Sequence, residues 1–216
     1  MPDEYLLKIC IIGSPDKLKT TMARIFIEGK FTQDYLPTLG VAITTKQIHI
    51  NNYDVRLILV DTSGKEFFGK DRPSYHRGAS AAIITLDKGD RDSFKAVRSW
   101  YKEFLNEINR LKRSRYQVPI ALVGFITKSE PKVDIAALKI QKRLKNTDWI
   151  NWGDIEARDD DEEIDEEVTT AEGQSLAEEL GPSYYETRPT DKEISGQIFH
   201  ELSLRVLGYK RMFNAY

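Results

Sequence analysis

The chain has 216 residues, and its 32 lysines and arginines nearly balance its 34 aspartates and glutamates. The net charge of −2 gives no electrostatic reason to expect a nucleic acid partner, and 40% hydrophobic residues exclude a disordered chain. One cysteine, Cys10, excludes an intramolecular disulfide, and no stretch has the length of a signal peptide core or a membrane span, so we expect a cytoplasmic domain.

Short apolar runs alternate with segments of helical spacing along the chain. Predicted strands cover 6–12, 41–50, 55–60, 81–86, 118–123 and 183–186, and predicted helices cover 19–29, 92–113, 169–180 and 192–207. The turn-forming residues 51–54 join the second and third strands as a hairpin. This order predicts an α/β fold with a mostly parallel six-stranded sheet, one antiparallel hairpin strand and helices on both faces.

Residues 131–167 are too many for an ordinary connection, so we predict an insert within a single domain spanning 1–216. Its first half, 132–145, has the pattern of a basic amphipathic helix, and its second half, 154–167, is almost continuously acidic. A solvated acidic loop is the simplest interpretation. Two alternatives stay open: the acidic run folds back on the basic helix, or Trp149 and Trp152 anchor a partner.

A candidate phosphate-binding loop follows the first strand and opens the first helix. Gly13, Lys19 and Thr20 have the spacing of G-x-x-x-x-G-K-S/T, although Leu18 stands where that motif has its second glycine. Such a loop needs backbone N–H groups at a helix N-terminus, a lysine for phosphate charge and a hydroxyl for Mg²⁺. The position between a buried strand and a helix is the context that the motif requires.

Five further segments follow in a fixed order: FTQDYLPTLGV (31–41), DTSGKE (61–66), SYHRGASAAIITLD (74–87), VPIALVG (118–124) and YYETRP (184–189). With the loop at 13–20, this array resembles the Ras superfamily of small GTPases, most closely its Rab-like branch. The resemblance covers nearly the whole chain apart from the insert. It implies the G-domain fold, with GTP or GDP as ligand and Mg²⁺ as cofactor.

The resemblance also implies roles for individual residues. Lys19 is expected to contact the β- and γ-phosphates, Thr20 and Thr38 to ligate Mg²⁺, and Asp61 to hold a metal-bound water. Gly64 is expected to donate its N–H to the γ-phosphate. The predicted nucleotide-binding residues are Gly13, Asp16, Lys17, Leu18, Lys19, Thr20, Thr21, Phe31, Tyr35, Thr38, Gly64, Thr127, Lys128, Glu130, Thr187 and Arg188.

The chain departs from the family pattern in the residues next to the phosphates. Lys65 stands where the family has the glutamine that orients the attacking water, so we expect slow hydrolysis. Pro15 lacks an N–H, and Asp16 adds a negative charge that Lys17 is expected to offset in part. The Cβ of Leu18 hinders close approach of the backbone to phosphate. These changes predict weakened nucleotide binding.

The segment predicted to recognise the base departs further from the family pattern. Read with a two-residue insertion, Thr127-Lys128-Ser129-Glu130 resembles the T-K-x-D motif with glutamate in place of aspartate. Read without it, Phe125 and Lys128 take the places of the asparagine and the aspartate, and guanine specificity is lost. The first register is our prediction, and the second stays open. In the later YYETRP segment, Arg188 and Pro189 replace the serine and alanine of the family's ETSA motif.

Two functions therefore stay open at this stage. The first is a Rab-like small GTP-binding protein, a molecular switch with slow GTP hydrolysis that binds effectors and regulators through switch regions 31–42 and 61–78. The alternative is a nucleotide-free pseudo-GTPase that acts as a scaffold or interaction module. No nucleic acid partner is expected, and because the C-terminal residues contain no cysteine, no prenyl anchor is expected and membrane contact is at most indirect.

Overall fold

The computed structural model describes residues 4–30, 37–111, 117–127 and 167–214, which form a six-stranded sheet with flanking helices. Phe31, Tyr35, Lys128, Glu130 and the predicted insert up to residue 166 lie outside these residues. The elements in chain order are β1 (Glu4–Gly13), α1 (Asp16–Glu28), β2 (Val41–Ile50), β3 (Tyr53–Thr62), a 3-10 turn (Glu66–Phe68), α2 (Arg72–His76), β4 (Ala81–Asp87), α3 (Arg91–Leu111), β5 (Ile120–Phe125), α4 (Thr170–Leu180), β6 (Ser183–Thr187) and α5 (Lys192–Asn214).

The sheet has the strand order β2-β3-β1-β4-β5-β6, and only the β2–β3 pair is antiparallel. That pair is a hairpin whose two-residue turn, Asn51-Asn52, contains one residue with φ +54°, a conformation that asparagine tolerates. The other strands pair in parallel, so their carboxyl ends meet at one edge of the sheet. The predicted fold class is confirmed.

Helices cover both faces of the sheet, as predicted. Ile9 and Ile11 of β1 are buried on the face that carries α1 and α5. Cys10 and Ile12 alternate with them and are buried on the opposite face with Phe104 of α3. Burying each such aliphatic side chain contributes roughly 1.5–3 kcal/mol, which explains why the central strands are continuous apolar runs. Burial raises the pKa of the Cys10 thiol to about 12, so it stays protonated.

The helix ends are set by local sequence signals. At the start of α4, Thr169 and Glu172 form a capping box, in which each side chain bonds to the other residue's backbone N–H. The helix α1 begins at Asp16 rather than at the predicted residue 19, because Pro15 serves as its N-cap and Asp16 supplies an acidic first turn. This earlier start brings Asp16 and Lys19 onto one helix at i and i+3 spacing.

Candidate nucleotide site

The carboxyl ends of β1 and β3 lie side by side, with Ile11 opposite Asp61 in the parallel register. Strand β1 ends at Gly13, and α1 begins three residues later, so the chain turns directly from strand to helix. Gly13 has φ +115°, and a Cβ there would lie 2.3 Å from the carbonyl oxygen of Thr85, so glycine is required. The positive end of the α1 dipole therefore lies at the strand ends, where it favours an anion.

Lys19 is a buried cation at the end of β1, and it is 0% exposed. Its ammonium donates to the carbonyl oxygen of Gly13 at 2.5 Å and to Oδ1 of Asp16 at 2.6 Å. A buried ammonium costs several kcal/mol unless it is paired and hydrogen-bonded, so these contacts fix where the side chain ends. The predicted phosphate-binding lysine thus has its charge at the carboxyl end of β1.

The carboxylate of Asp16 receives hydrogen bonds from three residues. Besides Lys19, the backbone N–H of Gly64 donates to Oδ1 at 2.5 Å and the hydroxyl of Ser63 donates to Oδ2 at 2.7 Å. Burial raises the pKa of Asp16, but the charge of Lys19 and these hydrogen bonds outweigh it and lower the pKa below its usual range. The ion-pair partner of this carboxylate is Lys19, whereas the Lys17 side chain is exposed, and the partial offset expected from Lys17 stays a prediction.

The two remaining residues of this loop make contacts within the fold. Leu18 is half-buried and packs against the core beneath α1 and α5. The hydroxyl of Thr21 donates to the carbonyl oxygen of Lys17 at 2.7 Å, one helical turn earlier. Both contacts stabilise α1, and the predicted nucleotide contacts of these residues stay predictions.

Three oxygen-bearing side chains, those of Thr20, Thr38 and Asp61, meet beside Lys19. The Thr20 hydroxyl donates to Oδ2 of Asp61 at 2.5 Å, and the Thr38 hydroxyl lies 3.0 Å from the Thr20 hydroxyl and 3.3 Å from the same carboxylate oxygen. The structure therefore brings together all three residues predicted to form the metal site, from α1, from the segment before β2 and from β3.

The surroundings of the Asp61 carboxylate indicate whether these three side chains could bind a cation. The residue is 4% exposed, and its Oδ1 has no hydrogen-bond partner among the described residues. Burial raises the pKa of Asp61, although the hydrogen bond from Thr20 and the charge of Lys19 act in the opposite direction. A buried acceptor that lacks a donor is stabilised by a cation or by water. Two hydroxyls and a carboxylate are the hard oxygen ligands that suit Mg²⁺, so the residues fit the predicted ion.

The loop after β3 is held against this site by Arg72, which sequence analysis missed. Its guanidinium donates to the carbonyl oxygens of Ser63 at 3.1 Å and Lys65 at 3.4 Å. It also forms a two-point pair with Glu103 of α3, both distances 2.9 Å, and lies 4.3 Å from the ring centroid of Trp100. Arg72 is 6% exposed, so it fixes the loop from beneath. Nothing in the sequence marks it, because Glu103 and Trp100 come from a distant helix.

Lys65 itself lies at the surface of that loop. Its side chain is exposed, while its backbone N–H donates to the Ser63 hydroxyl at 3.3 Å. Gly64, immediately before it, is so close to the first loop that an added Cβ would lie 2.9 Å from the carbonyl oxygen of Gly13. The lysine at the predicted catalytic position is therefore adjacent to the site, and its side chain is solvent-exposed rather than packed in the core.

Two of the predicted base-recognition residues, Thr127 and Thr187, use their hydroxyls in hydrogen bonds within the fold. The Thr127 hydroxyl donates to Oδ1 of Asp87 at the end of β4. Thr187 is buried and its hydroxyl donates to the carbonyl oxygen of Arg188 at 3.1 Å, whereas the Arg188 side chain is exposed. Phe125 is 0% exposed and belongs to the core. Since Lys128 and Glu130 lie outside the described residues, neither register of the base motif is tested.

An ion pair between a buried lysine and a partly exposed glutamate near the predicted base-recognition residues was also missed by sequence analysis. The ammonium of Lys88 donates to Oε1 of Glu186 at 2.7 Å and lies 3.3 Å from the hydroxyl of Thr170. Tyr184 donates to the same carboxylate oxygen at 2.7 Å. This pair connects the ends of β4 and β6 through side chains.

Comparison with known proteins identifies the class. The family model described as "Ras family" matches residues 8–207. The chain is 28% identical over 144 residues to the Ras-related protein RABG3b of Arabidopsis thaliana, an alignment that covers 67% of this chain and 68% of that protein. It is 25% identical over 203 residues to Ras-related protein Rab-21 of Mus musculus, covering 94% and 74%. It is 34% identical over 100 residues to the GTP-binding protein YPT1 of Saccharomyces cerevisiae, covering 46% and 48%.

The chain therefore belongs to the Ras family. Within it, the Rab relatives identify a small GTP-binding protein of the Rab-like kind, as the sequence resemblance predicted. In the described part of the chain, every helix is too short or too polar to span a membrane.

Proposed function

We propose that this protein is a nucleotide-dependent molecular switch that binds GTP or GDP with Mg²⁺ and hydrolyses GTP slowly. The observation that carries the proposal is the pairing of two charged features at adjacent strand ends. The buried Lys19 ammonium lies at the end of β1, and the Asp61 carboxylate, with an oxygen lacking a donor, lies beside it at the end of β3.

Each residue of the group would then have a separate task. Lys19 would bind phosphate oxygens through its ammonium, as a point charge that needs no further alignment. Thr20, Thr38 and Asp61 would hold Mg²⁺, which supplies positive charge to offset that of the phosphates. Gly64 would give its N–H to the phosphate nearest the loop after β3. The single-domain organisation with an insert, and the cytoplasmic location, stay predictions.

Nucleotide content tests this proposal directly. The protein is purified in parallel with Mg²⁺ and with EDTA, denatured, and the released nucleotide is identified by ion-pair chromatography. We expect guanine nucleotide in the Mg²⁺ preparation and its loss in EDTA. The proposal is wrong if no nucleotide is released and neither GTP nor GDP shows Mg²⁺-dependent binding at high micromolar concentration.

Slow hydrolysis is proposed because a lysine at position 65 cannot accept a hydrogen bond from the attacking water. We expect Lys65→Gln to raise the single-turnover rate of bound GTP by about tenfold or more, since an amide can both donate and accept. Lys70→Gln, an exposed lysine in the same segment, is the matched control and is expected to leave the rate unchanged. An unchanged rate in Lys65→Gln would locate the limitation elsewhere in the site.

The alternative function, a nucleotide-free pseudo-GTPase, is favoured by one specific observation. The Asp16 carboxylate already accepts hydrogen bonds from both Lys19 and Gly64, two groups expected to bind phosphate. The nucleotide-content experiment separates the two functions, because a pseudo-GTPase would contain and bind no nucleotide under either condition.

We also propose that effectors and regulators bind through the switch regions, 31–42 and 61–78. Three large apolar side chains in or next to the described parts of these regions are exposed: Leu39 by 81%, Ile43 by 59% and Phe67 by 87%. Exposed apolar side chains of this size near one site are typical of a protein-binding surface. Replacing Leu39 and Phe67 by serine is expected to weaken effector capture without changing nucleotide affinity.

A further inference from the structure

The Asp16 carboxylate is the point at which the phosphate loop and the loop after β3 meet. Lys19 approaches Oδ1 at 2.6 Å from α1, and the Gly64 N–H approaches the same oxygen at 2.5 Å from the other loop. The Ser63 hydroxyl completes the set at 2.7 Å from Oδ2. Three donors of different chemistry, one of them a fully buried ammonium, thus converge on one anion.

An ammonium, a backbone N–H and a hydroxyl are also the donors that a terminal phosphate group requires. A carboxylate and a phosphate both accept charge-assisted hydrogen bonds through several oxygens, so either anion can satisfy these donors. They cannot do so together, because two anions a few ångströms apart repel one another strongly where water is excluded. The space is narrow as well: a Cβ on Gly64 would lie 3.1 Å from Oδ1 of Asp16.

We infer that Asp16 is an internal anion that occupies the position of a nucleotide's third phosphate, and that it makes the site selective for a nucleoside diphosphate over a triphosphate. This inference rests on the proposed function. A diphosphate leaves the Asp16 hydrogen bonds intact. A triphosphate must first separate the carboxylate from Lys19, Ser63 and Gly64, and that separation opposes binding.

A second consequence concerns the loop after β3. Because Asp16 accepts the Gly64 N–H and the Ser63 hydroxyl, the loop is closed onto the phosphate loop by a residue of the chain itself. A third phosphate is therefore not needed to close it. Removing the carboxylate is expected to release the Gly64 amide, which hydrogen exchange measures in the absence of any nucleotide.

The test compares two affinities in each of four proteins: native, Asp16→Gly, Asp16→Asn and the control Asp54→Asn. Asp54 is exposed at the start of β3, seven residues and about 23 Å along the strand from Asp61. Fluorescent GDP and a non-hydrolysable GTP analogue are titrated in Mg²⁺. The measured quantity is the ratio of the two dissociation constants, and circular dichroism establishes that each variant is folded.

We expect the native protein and Asp54→Asn to bind the diphosphate at least about tenfold more tightly than the triphosphate analogue. Asp16→Gly should shift this ratio towards the triphosphate by at least about tenfold, and Asp16→Asn, which keeps the side-chain shape, should shift it less in the same direction. Exchange of the Gly64 amide should accelerate by about tenfold or more in Asp16→Gly. If Asp16→Gly does not fold, the isosteric Asp16→Asn carries the test alone.

The outcomes separate this inference from the function on which it rests. Binding of both nucleotides with the same ratio in native protein and Asp16 variants overturns the inference and leaves the proposed function intact. Binding by the Asp16 variants alone supports the internal anion but overturns the proposed function of the native chain. Absence of binding in all four proteins overturns both.

Discussion

On the proposed phosphate side of the site, donors from two loops converge on a single carboxylate, whereas two pairs of described side chains near the proposed base side join strand ends to one another. Lys19, Ser63 and Gly64 all donate to Asp16. By contrast, Thr127 donates to Asp87, and the Lys88 ammonium donates to the Glu186 carboxylate.

This difference distinguishes side chains that a ligand can compete for from side chains that stabilise the fold. Phosphate-side donors are arranged around an anion, so a ligand anion can compete for them. On the proposed base side, Lys88 and Glu186 satisfy each other, and Lys88 is 7% exposed, so breaking that pair is expected to affect the fold before it affects a ligand. The following variants are ordered from the largest expected effect to the smallest.

Loss of the buried cation is expected to have the largest effect. Lys19→Met should weaken Mg²⁺-dependent nucleotide binding by about a thousandfold and lower the free energy of unfolding by about 3 kcal/mol, because Asp16, whose side chain is only 14% exposed, keeps its charge without its cationic partner. Lys102→Met, at an exposed lysine of α3, is the control, and calorimetry with nucleotide titration measures both effects. The double variant Lys19→Met/Asp16→Asn should regain much of the stability and none of the binding. Unchanged affinity in Lys19→Met would show that the loop does not bind phosphate.

The arrangement of side chains on the proposed phosphate side could largely be predicted from the sequence. A buried strand, a glycine and a helix in succession fix where Lys19 and Thr20 lie, and parallel pairing of β1 with β3 brings Asp61 beside them. The ion pair of Asp16 with Lys19 was not predicted, although residues three apart on a helix share a face. Had α1 been predicted to begin at Asp16, its spacing from Lys19 would have indicated the pair.

The base side could not be predicted in the same way. The Lys88–Glu186 pair joins residues 98 positions apart in the chain, and it forms only because β5 lies between β4 and β6 in the sheet. Arg72 and Glu103 are likewise paired through the docking of α2 on α3. Sequence patterns predict which face of an element is buried, but they do not specify which polar side chains meet after the elements pack.

The pH dependence of stability tests the environment of His76 in α2, the helix whose Arg72 holds the loop after β3. His76 of α2 is 0% exposed, neither ring nitrogen has a hydrogen-bond partner among the described residues, and Glu103 is 4.0 Å away. Burial lowers the pKa of His76 from 6.5 to about 4, with Glu103 opposing the shift and Arg72 adding to it. Between these two pH values the unfolded chain binds a proton that the folded protein excludes.

The stability that His76 contributes is therefore complete above pH 6.5 and is lost as the pH falls to 4. We expect the free energy of unfolding to decrease by about 3 kcal/mol more in the native protein than in His76→Phe across this interval. His49→Phe, which alters an exposed histidine, should keep the native pH dependence. Parallel pH profiles for native protein and His76→Phe would contradict the assignment.

The smallest effect is expected on the base side, from Lys88→Met. This change removes the ammonium from Glu186, whose carboxylate keeps hydrogen bonds from Tyr184 and Thr170 and is 20% exposed. Because those bonds remain and water can reach the carboxylate, the free energy of unfolding should fall by only about 2 kcal/mol. Nucleotide affinity should change by less than about threefold. Lys102→Met, an exposed lysine of α3, is the control. A tenfold loss of guanine nucleotide affinity with native stability would instead make Lys88 part of base recognition, and the division between the two sides would no longer hold.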